Sequence, residues 1–96
     1  MKGFKSNIEK DTLGNTNFRR VLYTGRNSQL VLMSLKPGEE IGEEVHKTVD
    51  QFFRFEKGEG TVSIDRVRQK VTDGDAVIVP AGARHNVINT SKTTDL

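Results

Sequence analysis

The sequence predicts an all-β fold, an antiparallel sandwich or barrel of short strands. Three observations carry this reading. Short runs rich in β-branched and aromatic side chains recur along the 96 residues, each bounded by glycine, proline, asparagine or aspartate. Several runs alternate apolar and polar residues, the period of a half-buried strand. No stretch sustains the 3.6-residue period of an amphipathic helix. Seven such runs at roughly regular spacing are the pattern of a sandwich or barrel.

Residues 1–17 are polar and carry the turn formers Gly3, Gly14, Asn15 and Asn17. They are expected to form a loosely ordered lead-in, with a short strand near Phe4–Ile8, ahead of a domain spanning 18–96. The first strand of that domain is expected at Phe18–Thr24 (FRRVLYT), followed by a turn at Gly25-Arg26-Asn27. Gln29–Lys36 (QLVLMSLK) is nearly continuously apolar and predicts a central strand that ends at Pro37-Gly38. In Gln51–Glu56 (QFFRFE), strand alternation places Gln51, Phe53 and Phe55 on one face. Phe52, Arg54 and Glu56 take the other. The apolar pair marks the inner face, so Gln51 points inward. Thr61–Ile64 and Val67–Val71 form a hairpin across Asp65-Arg66, although a tight type I′ turn prefers glycine where Arg66 stands. Ala76–Val79 and Arg84–Asn89 are two further strands, separated by Pro80-Ala81-Gly82.

Composition excludes several classes of function. The absence of cysteine rules out disulfides and thiolate ligands, so any metal site must use imidazole, carboxylate or amide donors. The net charge is +2, and the arginines and lysines are interleaved with acids in no long run. That argues against a nucleic-acid partner. The first residues hold no apolar core of a signal peptide, and no window is apolar enough for a membrane span. A cytoplasmic protein without a membrane partner is expected. Asn89-Thr90-Ser91 matches a glycosylation acceptor only by accident in that setting.

The sequence contains two histidines, one in each of two blocks. PGEEIGEEVHKTVDQFFRFEKGEG carries Glu44, His46 and Gln51, and GDAVIVPAGARHNVIN carries His85. Four donor side chains converging from separate extended segments are what a mononuclear metal site needs. Glu44 and His46 are two apart and share a strand face. Gln51 is an odd number of residues further on, so the chain must bend between Lys47 and Asp50 to return it to the interior. Pro80 and Gly82 bend the chain before His85 in the same way.

These blocks resemble the cupin family, small β-barrels of the jelly-roll type. Within that family the chain resembles the small single-domain bacterial-type cupins of the mannose-6-phosphate isomerase-like group. The family's first motif, G-x5-H-x-H-x3,4-E-x6-G, is matched in spacing by Gly38, Glu44, His46, Gln51 and Gly58. The second, G-x5-P-x-G-x2-H-x3-N, is matched at every fixed position by Gly74, Pro80, Gly82, His85 and Asn89. Two ligand positions depart from the pattern. Glu44 stands where the first histidine is usual, and Gln51 stands where the glutamate is usual. The carboxylate has moved and the formal charge of the set is unchanged. The resemblance implies a divalent transition metal (iron, manganese, nickel or zinc) on Glu44, His46 and His85. Gln51 is either a weaker carbonyl ligand or a hydrogen-bonding neighbour of the ligands.

It further implies either a metal-dependent enzyme, of dioxygenase or sugar-isomerase type, acting on a small oxygenated molecule, or a non-catalytic binding module. No obvious general base is present, so proton transfer would fall to Glu44, Tyr23 or a metal-bound water. Phe53 and Phe55 read as core, and Asn89 as a turn-closing residue. Glu39, Glu40 and Glu43 read as a solvated rim, and Arg54 and Arg84 as surface charge. Proteins of this kind carry strands after the second motif, so the barrel is expected to lack a C-terminal strand. An unpaired edge invites a homodimer, with the N-terminal strands exchanged or Phe52 in the contact.

Overall fold

The computed structural model describes residues 2–96, which form two compact units divided between Ser34 and Leu35. In the first unit, helix α1 (Ile8–Gly14) precedes the antiparallel hairpin of β1 (Arg19–Thr24) and β2 (Gln29–Met33). The helix replaces the strand expected near Phe4–Ile8. Its signal is local and short. Asn7 is the N-cap and its side-chain oxygen accepts the Lys10 N–H at 3.0 Å, while Glu9 and Asp11 place negative charge in the first turn. Seven residues are too few for apolar periodicity to show.

The second unit holds two sheets. One runs in the order β3 (Glu44–Val45), β8 (Arg84–Asn89), β5 (Glu59–Ile64), β6 (Val67–Thr72), and the other pairs β4 (Gln51–Arg54) with β7 (Ala76–Val79). All these pairings are antiparallel. The described residues therefore hold eight strands and not seven. The additional one is the two-residue β3, too short to announce itself by composition.

The predicted alternation in β4 holds. Phe53 packs on the core and Phe55 belongs to it, whereas Phe52 is exposed. Phe55 joins Leu35, Val62, Val71 and Val87 in one buried cluster, with Ile41, Ile64, Val77 and Leu96 packed against it. These residues come from both sheets, so burial of the inner faces holds the unit together, at about 1.5–3 kcal/mol for each large side chain.

The β5–β6 hairpin turns on Asp65 (φ 47°) and Arg66 (φ 71°), both left-handed, the backbone of a type I′ turn. Arg66 occupies the position where glycine was expected. The turn is held from outside by strand β8. The Asp65 N–H donates to the Arg84 carbonyl at 2.8 Å, and the Arg84 N–H donates to Asp65 Oδ1 at 2.9 Å.

At the edge where the barrel was expected to lack a C-terminal strand, residues 91–96 run back beside Leu35. Leu35 and Leu96 exchange both backbone hydrogen bonds at 2.8 Å. Asn89, fully buried, ties this return together. Its amide donates to the Leu35 and Thr94 carbonyls at 2.9 Å, and its side-chain oxygen accepts from the Ser91 N–H. This is the turn-closing role read from the sequence. Gly58 (φ 87°) lies directly under the Asp95 carbonyl, with no room for a Cβ. Among the described residues, no helix is long and apolar enough to cross a membrane.

Candidate metal centre

The register of β3 against β8 builds the site. Glu44 stands directly opposite His85, so both side chains leave the same face of the sheet. His46 is two residues beyond Glu44 and returns to that face, and the Gly82 N–H donating to its carbonyl at 2.8 Å continues the pairing. Val45, between them, is opposite Arg84 and points outward, 40% exposed. The chain then bends at Lys47-Thr48, as the spacing required, and enters β4 at Gln51 opposite Val79. Asp50 fixes this bend by accepting the Ala81 N–H at 2.8 Å. The Pro80–Gly82 turn is thus fastened to the first ligand block at two points.

One ligand atom from each of Glu44, His46 and His85 lies within 4.8 Å of the others. The two imidazole rings are 5.5 Å apart between centroids. Glu44 Oε2 approaches His46 Nε2 to 3.3 Å, within ion-pair range but without hydrogen-bond alignment, so Nε2 has no partner. His85 is 1% exposed and its Nδ1 faces the Ala83 carbonyl at 3.4 Å. A proton on Nδ1 directed at that oxygen leaves Nε2 with its lone pair turned to the cluster.

Three buried side-chain atoms in the described residues lack any hydrogen-bond partner: His46 Nε2, His85 Nε2 and Gln51 Oε1. All three belong to the residues singled out from the sequence. An unpartnered buried polar atom costs about 1–3 kcal/mol. Three such atoms, in residues matched to the ligand positions of one motif pair, would all be satisfied by one electrophile. Donors bonded at about 2.1 Å to one ion lie at most about 4.2 Å apart. A spread of 4.8 Å therefore requires only a small side-chain adjustment. Two imidazole nitrogens, a carboxylate and an amide oxygen suit a divalent transition metal, and the residues fit such an ion.

The site is closed on one side and open on the other. The Phe53 ring stands 6.1 Å from the His85 ring and 6.4 Å from Phe55, so it serves both the core and the wall of the site. The side chains of His46 and Glu44 are 38% and 42% exposed, which makes theirs the solvent side. Tyr23 belongs to the first unit, where its ring stacks on Phe4 at 5.3 Å.

The rim glutamates do more than face solvent. Glu39 accepts the Lys36 N–H, Glu40 accepts from the Asn86 amide, and Glu43 pairs with Arg84 at 3.3 Å. Arg54 pairs with Glu56, whose side chain is 3% exposed. Asp50, Asp65 and Asn86 were not singled out from the sequence. Their partners lie 19 to 46 residues away, beyond any local pattern.

A family model described as "Cupin domain" matches residues 31–96. The chain belongs to the cupin family. Among its relatives is the uncharacterised protein YrkC of Bacillus subtilis, 46% identical over 96% of this chain and 53% of its own length. The chain spans about half the length of the curated relatives it matches. A crystal structure from Bacillus halodurans superposes with a TM-score of 0.92 at 42% identity, covering 96% of this cupin and 74% of that chain. A Thermotoga maritima structure described as a predicted oxalate decarboxylase gives a TM-score of 0.64 at 28% identity, covering 67% of this chain and 55% of its own.

Proposed function

We propose that this cupin holds one divalent transition metal through Glu44, His46 and His85, with the Gln51 carbonyl oxygen as a fourth donor. It acts there on a small oxygen-bearing molecule. The observation that carries the reading is the set of three buried, unpartnered atoms in the motif residues. When bound, such an ion supplies Lewis-acid polarisation of a substrate oxygen, or electron exchange with O2 if it is redox-active.

The residues themselves provide the rest. One carboxylate among neutral donors leaves a divalent centre with net charge near +1, which favours an anionic substrate oxygen. Phe53 gives the substrate an apolar wall and keeps water from that side. Glu44, on the solvent side, holds or moves a proton at whichever carboxylate oxygen is free. The description of the Thermotoga relative favours a small carboxylate as the substrate class. Metal-loaded and metal-stripped protein should be incubated with small hydroxy- and oxo-acids while substrate loss and O2 uptake are followed. Turnover by the loaded form alone, abolished in His46→Ala, supports the reading. Neither turnover nor thermal stabilisation by any of them contradicts it.

A second reading, a non-catalytic binding module, is favoured by one specific feature. Both histidines of the chain are in the ligand set, and there is no cysteine, so few groups remain to move protons. It predicts ligand-induced thermal stabilisation without turnover. Either way we expect a homodimer, supported by Phe52 and Ile78. They are cross-strand neighbours on the outer face of β4–β7, 65% and 63% exposed.

A further inference from the structure

On the outer side of the β3–β8–β5–β6 sheet, a groove of about 380 Å³ is lined by Glu43, Ser63, Arg66, Arg84, His85 and Asn86. We infer that this groove is a second binding site, for a small oxyanion of the phosphate or carboxylate class, held by Arg66 and Arg84.

Three features converge on it. The first is the conformation of Arg66, a non-glycine residue at φ 71° in a position of the type I′ turn where glycine is preferred. Side chains are kept in such conformations when the surroundings enforce them, and such outliers gather at ligand sites. The second is the anchoring of the turn. Asp65 and Arg84 exchange two hydrogen bonds, at 2.8 and 2.9 Å, which hold the Arg66 backbone beside that of Arg84. The third is charge. Among the described residues Arg66 makes no ion pair, and Arg84 pairs only with Glu43 at 3.3 Å, both partners 63% exposed. An exposed pair of that kind is weak and readily displaced. Among the lining residues two guanidinium groups stand against one carboxylate, while the nearby Asp65 and Glu40 carboxylates are engaged by the Arg84 N–H and the Asn86 amide. Ser63 and Asn86 line it as neutral neighbours, although Asn86 already bonds Gly42 and Glu40. Guanidinium groups bind carboxylate and phosphate through paired N–H donors. His85 borders the groove, but its ring leaves the opposite face of the sheet, so oxyanion binding is independent of the metal.

The test uses metal-free protein, titrated separately with inorganic phosphate and with malonate, against sodium chloride of equal ionic strength. Backbone amide shifts and thermal stability are followed. The expected result is saturable shifts at Ser63, Arg66 and Arg84 with one or both anions and not with chloride. The stronger binder identifies the source class. Arg66→Gly should fold and be at least as stable as the parent, because glycine accepts the turn. Its affinity should be weaker by about tenfold or more. Lys70→Gln removes the same charge outside the groove and should bind as the parent does. Unsaturable or chloride-matched shifts would overturn the proposal, as would unchanged affinity in Arg66→Gly or an equal loss in Lys70→Gln.

Discussion

Replacing His85 with leucine separates a metal ligand from a packing residue. In the metal-free chain the His85 ring is buried and its Nε2 has no partner, an arrangement that costs about 1–3 kcal/mol. Leucine removes that cost. It also forfeits the long 3.4 Å contact of Nδ1 with Ala83, for about 0.5–1.5 kcal/mol, and introduces a shape mismatch of about 1 kcal/mol. These contributions nearly cancel, so metal-free His85→Leu should match the metal-free parent within about 1.5 kcal/mol. The two should diverge when metal is added. At a free metal concentration a thousand times Kd, binding stabilises the parent by about 4 kcal/mol, a rise in Tm on the order of 15–30 °C for a domain of this size. The variant should show almost none of it. Thermal unfolding of both proteins, stripped and metal-loaded, gives the four values needed. A metal-free variant more than about 3 kcal/mol less stable than the parent, with no metal response in either protein, would refute the reasoning. It would make His85 a structural residue.

Gln51→Leu should weaken metal affinity by roughly 10–100-fold while leaving metal-free stability unchanged or raised, measured by competition with a chromophoric chelator. Gly58→Ala should lose more than about 2 kcal/mol, because it combines a left-handed backbone with collision against the Asp95 carbonyl. Gly42→Ala, also left-handed but with open space around it, should lose only about 1 kcal/mol by denaturant unfolding. Equal losses would mean that residues 91–96 do not lie over Gly58 in solution. Light scattering at micromolar concentration should give a dimer mass for the parent and a monomer mass for Phe52→Glu, and a monomeric parent removes the dimer from the account.

How much of this could be read from the sequence depends on the range of the interaction concerned. Strand alternation is a local property, and it placed Gln51, Phe53 and Phe55 on the inner face of β4 correctly. The spacing of Glu44 to His46 is also local, and it required the common face that β3 provides. The two-residue β3 was missed because it exists only through its partner β8. Helix α1 was missed because its cap and charges outweigh a periodicity that seven residues cannot display. Arg66 contradicts the turn rule because Asp65 is held by a strand 19 residues away. The same holds for Glu40 and Glu43, which looked solvated until the chain brought Asn86 and Arg84 to them. The site was legible in its residue types and spacing. Its unpartnered atoms and its fastening were visible only in three dimensions.

The most direct test of the metal centre is elemental analysis of tag-free protein purified without chelator, beside His46→Ala and His85→Leu. The account predicts near-stoichiometric iron, manganese, nickel or zinc in the parent, as isolated or after reconstitution, and little in either variant. A parent that takes up no metal, or variants that retain it fully, would contradict the claim that these residues form a metal centre.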